Sequence, residues 1–115
     1  MTSIADLQVK LPQCWSLQSS SRWKADNPAL GQCGVTALVA HDLLGGDILK
    51  TLLKSADGDM WHFYNLIDGK RHDFTASQFD APITYQDVPS NREEAFGDTN
   101  NAQYEHLRNA VASAM

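Results

Sequence analysis

The spacing of apolar positions changes several times along the chain, and each change marks an element. Ile4, Leu7, Leu11 and Trp15 recur every three to four residues. That spacing predicts an amphipathic helix over residues 3–17, disturbed by Pro12. Residues 18–31 are polar, hold a serine run, Pro28 and Gly31, and read as a loop. From about Cys33 to Leu44, apolar residues stand almost all round a run of good helix formers, which stops at Gly45-Gly46. This predicts a buried helix. Residues 47–54 admit strand or helix, and their place after a glycine stop favours a strand. SADGD (55–59) is a turn. MWHFYNLI (60–67) is dense in aromatic and β-branched residues and predicts a strand. Asp68-Gly69 is a two-residue hairpin signal, which makes KRHDFT (70–75) the returning strand. TASQF (75–79) forms a helical turn or bend. Residues 80–98 hold Pro82, Pro89 and Gly97 and are largely irregular, with a short strand at ITYQDV (83–88). Thr99 caps a last helix whose stripe is Tyr104, Leu107, Val111 and Met115. Helices before and after a small antiparallel sheet make an α+β domain.

Length and charge narrow the function. A chain of 115 residues builds one domain, 1–115, around one core. Nine Lys and Arg against 14 Asp and Glu argue against nucleic-acid binding by phosphate neutralisation. There is no apolar run long enough to span a membrane. The start, MTSIADLQVKLPQCW, lacks a basic segment followed by an apolar one, so a cytoplasmic protein is expected. In that compartment Cys14 and Cys33 stay reduced. Without a C-x-x-C spacing they do not make a structural zinc site.

Cys33 stands where the polar loop ends and the buried helix begins. A thiol there feels the positive end of the helix dipole and faces free backbone N–H groups, and both favour thiolate. Gly31 and Gly34 flank it, leaving room for a substrate backbone. The alternative is a buried structural cysteine. A nucleophile needs a base, and the base an orienting group. His41 is eight residues along the same helix, about 12 Å away at 1.5 Å per residue, and cannot reach. His106 lies between stripe positions of the last helix and reads as solvated.

Hairpin counting separates His62 from His72. With Asp68-Gly69 at the turn, Ile67 pairs with Lys70, Leu66 with Arg71 and Asn65 with His72. His62, Tyr64, Leu66, Asp73 and Thr75 then share one face, and His72 points to the other. His62 and Asp73 are diagonal neighbours, about 7–8 Å apart at Cβ, within reach of a side-chain hydrogen bond. Cys33, His62 and Asp73 thus fit the needs of a cysteine nucleophile, although a one-residue bulge would turn Asp73 away. Zinc ligation by Cys33, His62, His72 and Asp73 is disfavoured by the opposed histidines. Trp15, Trp23 and Trp61 read as core or pocket-rim packing, Cys14 as core, and Arg92, Glu93 and Glu94 as a solvated face.

The order Cys, His, Asp, with the cysteine opening a helix and the others on neighbouring strands, resembles the papain-like superfamily. The nearest branch is the transglutaminase-like and NlpC/P60-like group. The string NPALGQCGVTALV…GG…HFYNLIDGKRHDFTASQF, within residues 15–79, is also similar to the YunG family of small bacterial proteins. The resemblance implies a papain-like core, with Cys33 as nucleophile, His62 as general base and acid, and Asp73 as orienting residue. It also implies an amide side chain near the cysteine as an oxyanion donor. Asn27, six residues before, and the adjacent Gln32 are the candidates.

The expected function is cysteine-dependent acyl transfer on a peptide or amide substrate, as a thiol peptidase, amidase or transglutaminase-like enzyme. No cofactor or metal is expected, and no nucleic-acid or membrane partner. The alternative is a non-catalytic binding or immunity-type protein on the same scaffold, its negative charge suited to a basic protein partner. Under either function, segment 80–98 reads as a lid or a partner contact.

Overall fold

A computed structural model describes residues 2–55 and 58–115. The elements are α1 (Ile4–Cys14), α2 (Cys33–Leu44), β1 (Asp47–Ser55), β2 (Gly58–Ile67), β3 (Lys70–His72), β4 (Val88–Ser90), α3 (Arg92–Phe96) and α4 (Asn101–Ala114). A 3-10 turn covers Ala76–Gln78. All strand pairings are antiparallel, in the order β3-β2-β1-β4. The chain is a small α+β domain. The turn expected at 55–59 includes Ala56 and Asp57, which lie outside the described residues. No described helix is long and apolar enough to cross a membrane.

α1 begins at a reciprocal cap: Ser3 Oγ accepts from the Asp6 N–H, and the Ser3 N–H donates to the Asp6 carboxylate. Pro12 falls in its last turn and does not end it. α2 is apolar all round because it is covered on two sides. Val35, Val39 and Ala40 pack with Leu7 and Leu11 of α1 and Leu107 and Val111 of α4. Cys33, Ala37 and Leu38 face Ile48 of β1, Phe63 of β2 and Ala95 of α3. Trp15 is buried at the end of α1, and its indole N–H donates to Thr36 Oγ1 of α2 at 2.9 Å. Gly46 lets the chain pass beneath β2, since a Cβ there would come within 2.1 Å of the Leu66 carbonyl oxygen.

The hairpin register is Ile67 with Lys70, Leu66 with Arg71 and Asn65 with His72. The returning strand is shorter than its expected 70–75. Asp73 Oδ1 accepts from the Thr75 N–H at 3.2 Å, a local turn that competes with the ladder and diverts the chain after His72. Beyond Asn65, the outer edge of β2 is therefore left without a strand.

Segment 80–98 departs furthest from expectation. The strand expected at 83–88 is found instead at Val88–Ser90, after Asp87 takes a positive φ of 53°. Before it, side chains replace ladder bonds: Thr51 Oγ1 donates to the Thr84 carbonyl and accepts from the Gln86 N–H, and Gln86 Oε1 accepts from the Leu52 N–H. Arg92, Glu93 and Glu94 begin α3, with Glu93 and Glu94 exposed on its solvated face. Asn91 caps it by accepting from the Glu94 N–H at 2.9 Å, Lys50 pairs with Glu94 at 2.8 Å, and Arg92 pairs with Asp42. The cap of α4 is Asn100 rather than Thr99, with its side chain accepting from the Gln103 N–H. Met115, expected on the α4 stripe, is 47% exposed.

Candidate functional site

β2 presents its two faces to different neighbours. Phe63 and Asn65 face α2, and Asn65 Nδ2 donates to the Ala37 carbonyl at 3.0 Å. His62 and Tyr64 face the other way, under the segment that follows β3. There Phe79 stands edge-on to the His62 ring at 5.0 Å between centroids, and Tyr85 covers Tyr64 at 4.9 Å. His62 is fully buried. Its Nε2 lies 2.7 Å from Asp73 Oδ2, so the carboxylate fixes the proton on Nε2. Nδ1 is buried and has no hydrogen-bond partner among the described residues.

Asp73 is the hub of this network. Oδ2 accepts both from His62 and from the Tyr85 hydroxyl, the latter at 2.8 Å, while Oδ1 accepts from Thr75. Burial, and then the hydrogen bond to Asp73, push the Tyr85 hydroxyl well above its ordinary range, so it stays a donor. Tyr64 is pushed up to about 12 by burial and by its bond to Asp87, which Arg71 also holds. The sequence gives no sign of Tyr85's role, because its partner Asp73 is 12 residues away across a connection with no regular register.

Cys33 is the first residue of α2 and 2% exposed. Its sulfur lies beside the backbone N–H of Phe63, the amide directly after His62, at the β2 edge that β3 vacates. The expected thiolate bias is overturned. Burial is the largest influence and pushes the thiol far up, and the Asp98 carboxylate beside it adds to this against the Phe63 N–H. The resting sulfur is a thiol that donates to Asp98 Oδ2 at 3.4 Å.

Asp98 also supplies what α2 lacks. Gln32, at the N-cap position, makes no capping bond with its side chain, and Asp98 Oδ2 accepts from the Gly34 N–H at 3.0 Å. A Cβ on Gly34 would meet Asp98 Oδ2 at 2.6 Å, so the space beside the cysteine is filled by the chain itself. Gly31 is likewise closed in, by Ser20 and Arg22. Asp98 is exposed as a residue, but its Oδ2 end is turned onto α2, and shielding of that end raises its carboxyl above the usual range. Nothing in the sequence around Asp98 points to a cysteine 65 positions away.

The two oxyanion candidates are engaged elsewhere. Asn27 Nδ2 donates to the Gln78 carbonyl at 3.1 Å, and the buried Gln32 uses Nε2 on the Ser16 carbonyl at 3.4 Å. The first-turn amides of α2, that of Cys33 among them, have no acceptor inside the helix. His72 stacks on Phe74, away from His62. His106 is half-buried rather than solvated. Among the described residues, no three His, Cys, Asp or Glu stand close enough together to hold a metal ion. Cys14 is buried in the helical core, and both thiols are free. Trp15 and Trp23 belong to that core, whereas Trp61 is exposed beneath Lys50. Residues 79–84 wall a largely apolar groove of about 500 Å³, floored by Leu53 and Met60. Phe79 separates it from His62.

Comparison with known proteins places this architecture in a family. The family described as YunG protein matches residues 3–115. The chain is 55% identical over 105 residues to the "Uncharacterized protein YunG" of Bacillus subtilis (strain 168). That similarity covers 91% of this chain and 88% of the relative. No solved structure matches the chain.

Proposed function

The chain belongs to the YunG protein family, and we propose that it is a cysteine-dependent acyl-transfer enzyme on a papain-like core. Cys33 is the nucleophile, His62 the base and then the acid, and Asp73 the residue that orients it. One observation carries this reading: the two nitrogens of His62 are in unlike states. Nε2 is committed to Asp73, while the buried Nδ1 is unpartnered, on the residue next to the Phe63 amide that neighbours the sulfur. Leaving a buried polar atom unpaired costs about 1–3 kcal/mol; His41 and His72 also bury an unpartnered nitrogen, and what marks His62 as a base is the Asp73 carboxylate on its other nitrogen.

The reaction runs on these atoms. The Cys33 S–H proton passes to His62 Nδ1, and the sulfur attacks the carbonyl carbon of an amide, forming a C–S bond and an oxyanion. Collapse of that intermediate breaks the C–N bond, and the departing amine takes the proton from Nδ1. Water or an amine then attacks the thioester, giving up a proton to Nδ1, and the sulfur leaves with that proton restored. The Cys33 amide at the start of α2 suits the oxyanion better than Asn27 or Gln32, whose amides already serve carbonyls, and the Gly34 amide joins it once Asp98 leaves. The substrate is a peptide or another amide.

An acyl-electrophile probe tests this reading. Wild type is expected to be labelled at Cys33, and Cys33→Ala to lose the label although Cys14 remains. Equal labelling of the two proteins would overturn the assignment. One observation favours the second reading, a non-catalytic binding protein: the sulfur is buried and its S–H is directed at Asp98 rather than at His62. That reading predicts no labelling at Cys33 by any acyl probe.

A further inference from the structure

We propose that Asp98 is a fourth functional residue of this site, a carboxylate that holds Cys33 as a resting thiol and leaves the sulfur before His62 takes its proton. The inference rests on the reading of Cys33 as a nucleophile.

Two hydrogen bonds and one close approach carry it. Asp98 Oδ2 accepts the Cys33 S–H at 3.4 Å, so the proton to be transferred points at Asp98. The same oxygen accepts the Gly34 N–H at 3.0 Å, so the carboxylate occupies the ground beside the sulfur that a substrate carbonyl must enter. Gly34 has no side chain to hold Asp98 off, and a Cβ there would fall 2.7 Å from Asp98 Cβ. Asp98 is therefore seated against the α2 terminus as an internal ligand.

Its charge then works on the thiol. An anion within hydrogen-bond distance of a sulfur opposes a second negative charge there. The groups around the contact are Arg22 from the loop before α2, His62 from β2 and Asp73 from the turn after β3. Arg22 and His62 ease the charge on Asp98, whereas Asp73 adds to the pressure on the thiol. The segment that bears Asp98 is short. It joins α3, anchored by Lys50–Glu94 and Arg92–Asp42, to α4, capped by Asn100. Its backbone is tied to α3, the Asp98 N–H donating to the Ala95 carbonyl at 3.0 Å and the Thr99 N–H to the Phe96 carbonyl at 3.3 Å, so rotation of the Asp98 side chain is the movement that clears the sulfur.

Capping alone makes a rival claim on Asp98, and Asp98→Asn separates the two. Asparagine keeps an oxygen for the Gly34 N–H and removes the charge. The experiment follows iodoacetamide labelling at pH 7, with Cys33 and Cys14 read separately by peptide mass spectrometry. Cys14 is buried in the helical core and reports any general loosening. Asp98→Asn and Asp98→Ala are each expected to label Cys33 about tenfold faster than wild type, the effect of one pKa unit, with Cys14 unchanged. Cys33 rates within about twofold of wild type, on the same tenfold-per-unit scale, would overturn the inference. So would a parallel rise at Cys14 in both variants, which would assign Asp98 to fold maintenance. Adding His62→Ala to Asp98→Asn tells the two readings apart. If the acceleration survives that change undiminished, Asp98 keeps its role and His62 loses its role as base.

Discussion

One oxygen of Asp73 serves both His62 and Tyr85, and much of the site's order depends on that atom. An asparagine at 73 would turn its amide NH2 toward either His62 and Tyr85 or Thr75, all of which now donate to a carboxylate. Asp73→Asn is therefore expected to slow acyl-probe labelling of Cys33 at least about tenfold, through loss of the His62 orientation. An unchanged labelling rate would remove Asp73 from the site. The His62–Asp73 pair was open to counting, because a two-residue turn fixes which residues share a face. Asp98 was not, since its contact with Cys33 bridges two distant parts of the chain and no periodicity encodes it. The same carboxylate reverses the electrostatics expected at Cys33. A helix N-terminus favours thiolate, but here burial and an acidic neighbour outweigh it.

Elements with a strong local signal stand where their patterns put them. α2 spans Cys33–Leu44 because its apolar surface is continuous and a glycine pair stops it. The tight hairpin keeps its register for the same kind of local reason. Elements set by side-chain bonds were less legible. β3 ends early because Asp73 captures Thr75, and β4 is displaced because Thr51 and Gln86 hold residues 84–86 without a ladder. α3 did leave a trace in Asn91 and Glu94, an N-cap spacing, but five residues give too little periodicity to weigh. At the start of α4 the cap is a testable point. Asn100→Ala is expected to cost about 1 kcal/mol in urea unfolding, and Thr99→Ala less. The reverse order would put the helix start at Thr99.

On the scale of the molecule, α2 is the shared wall of two cores, a helical one and one against the sheet, so the α+β plan follows from a single all-apolar helix. The site lies where that helix meets the vacated edge of β2, and folding therefore assembles it. Burial of Asp98 against α2 has a global consequence for pH. Its folded carboxyl titrates above the usual range, so its contribution to stability is present at low pH and is lost as pH rises through the folded value. Wild type is thus expected to lose stability relative to Asp98→Asn between about pH 4, near an ordinary aspartate, and pH 7. Urea unfolding of both proteins at the two pH values checks this, and a constant or widening advantage for wild type would contradict it. The rate at which an activated acyl ester modifies Cys33, read as intact mass in wild type and His62→Ala, shows whether His62 activates Cys33. Loss of a positioned base is expected to slow acylation about a hundredfold or more, with Cys14 unmodified in both. Equal rates in the two proteins would contradict the account.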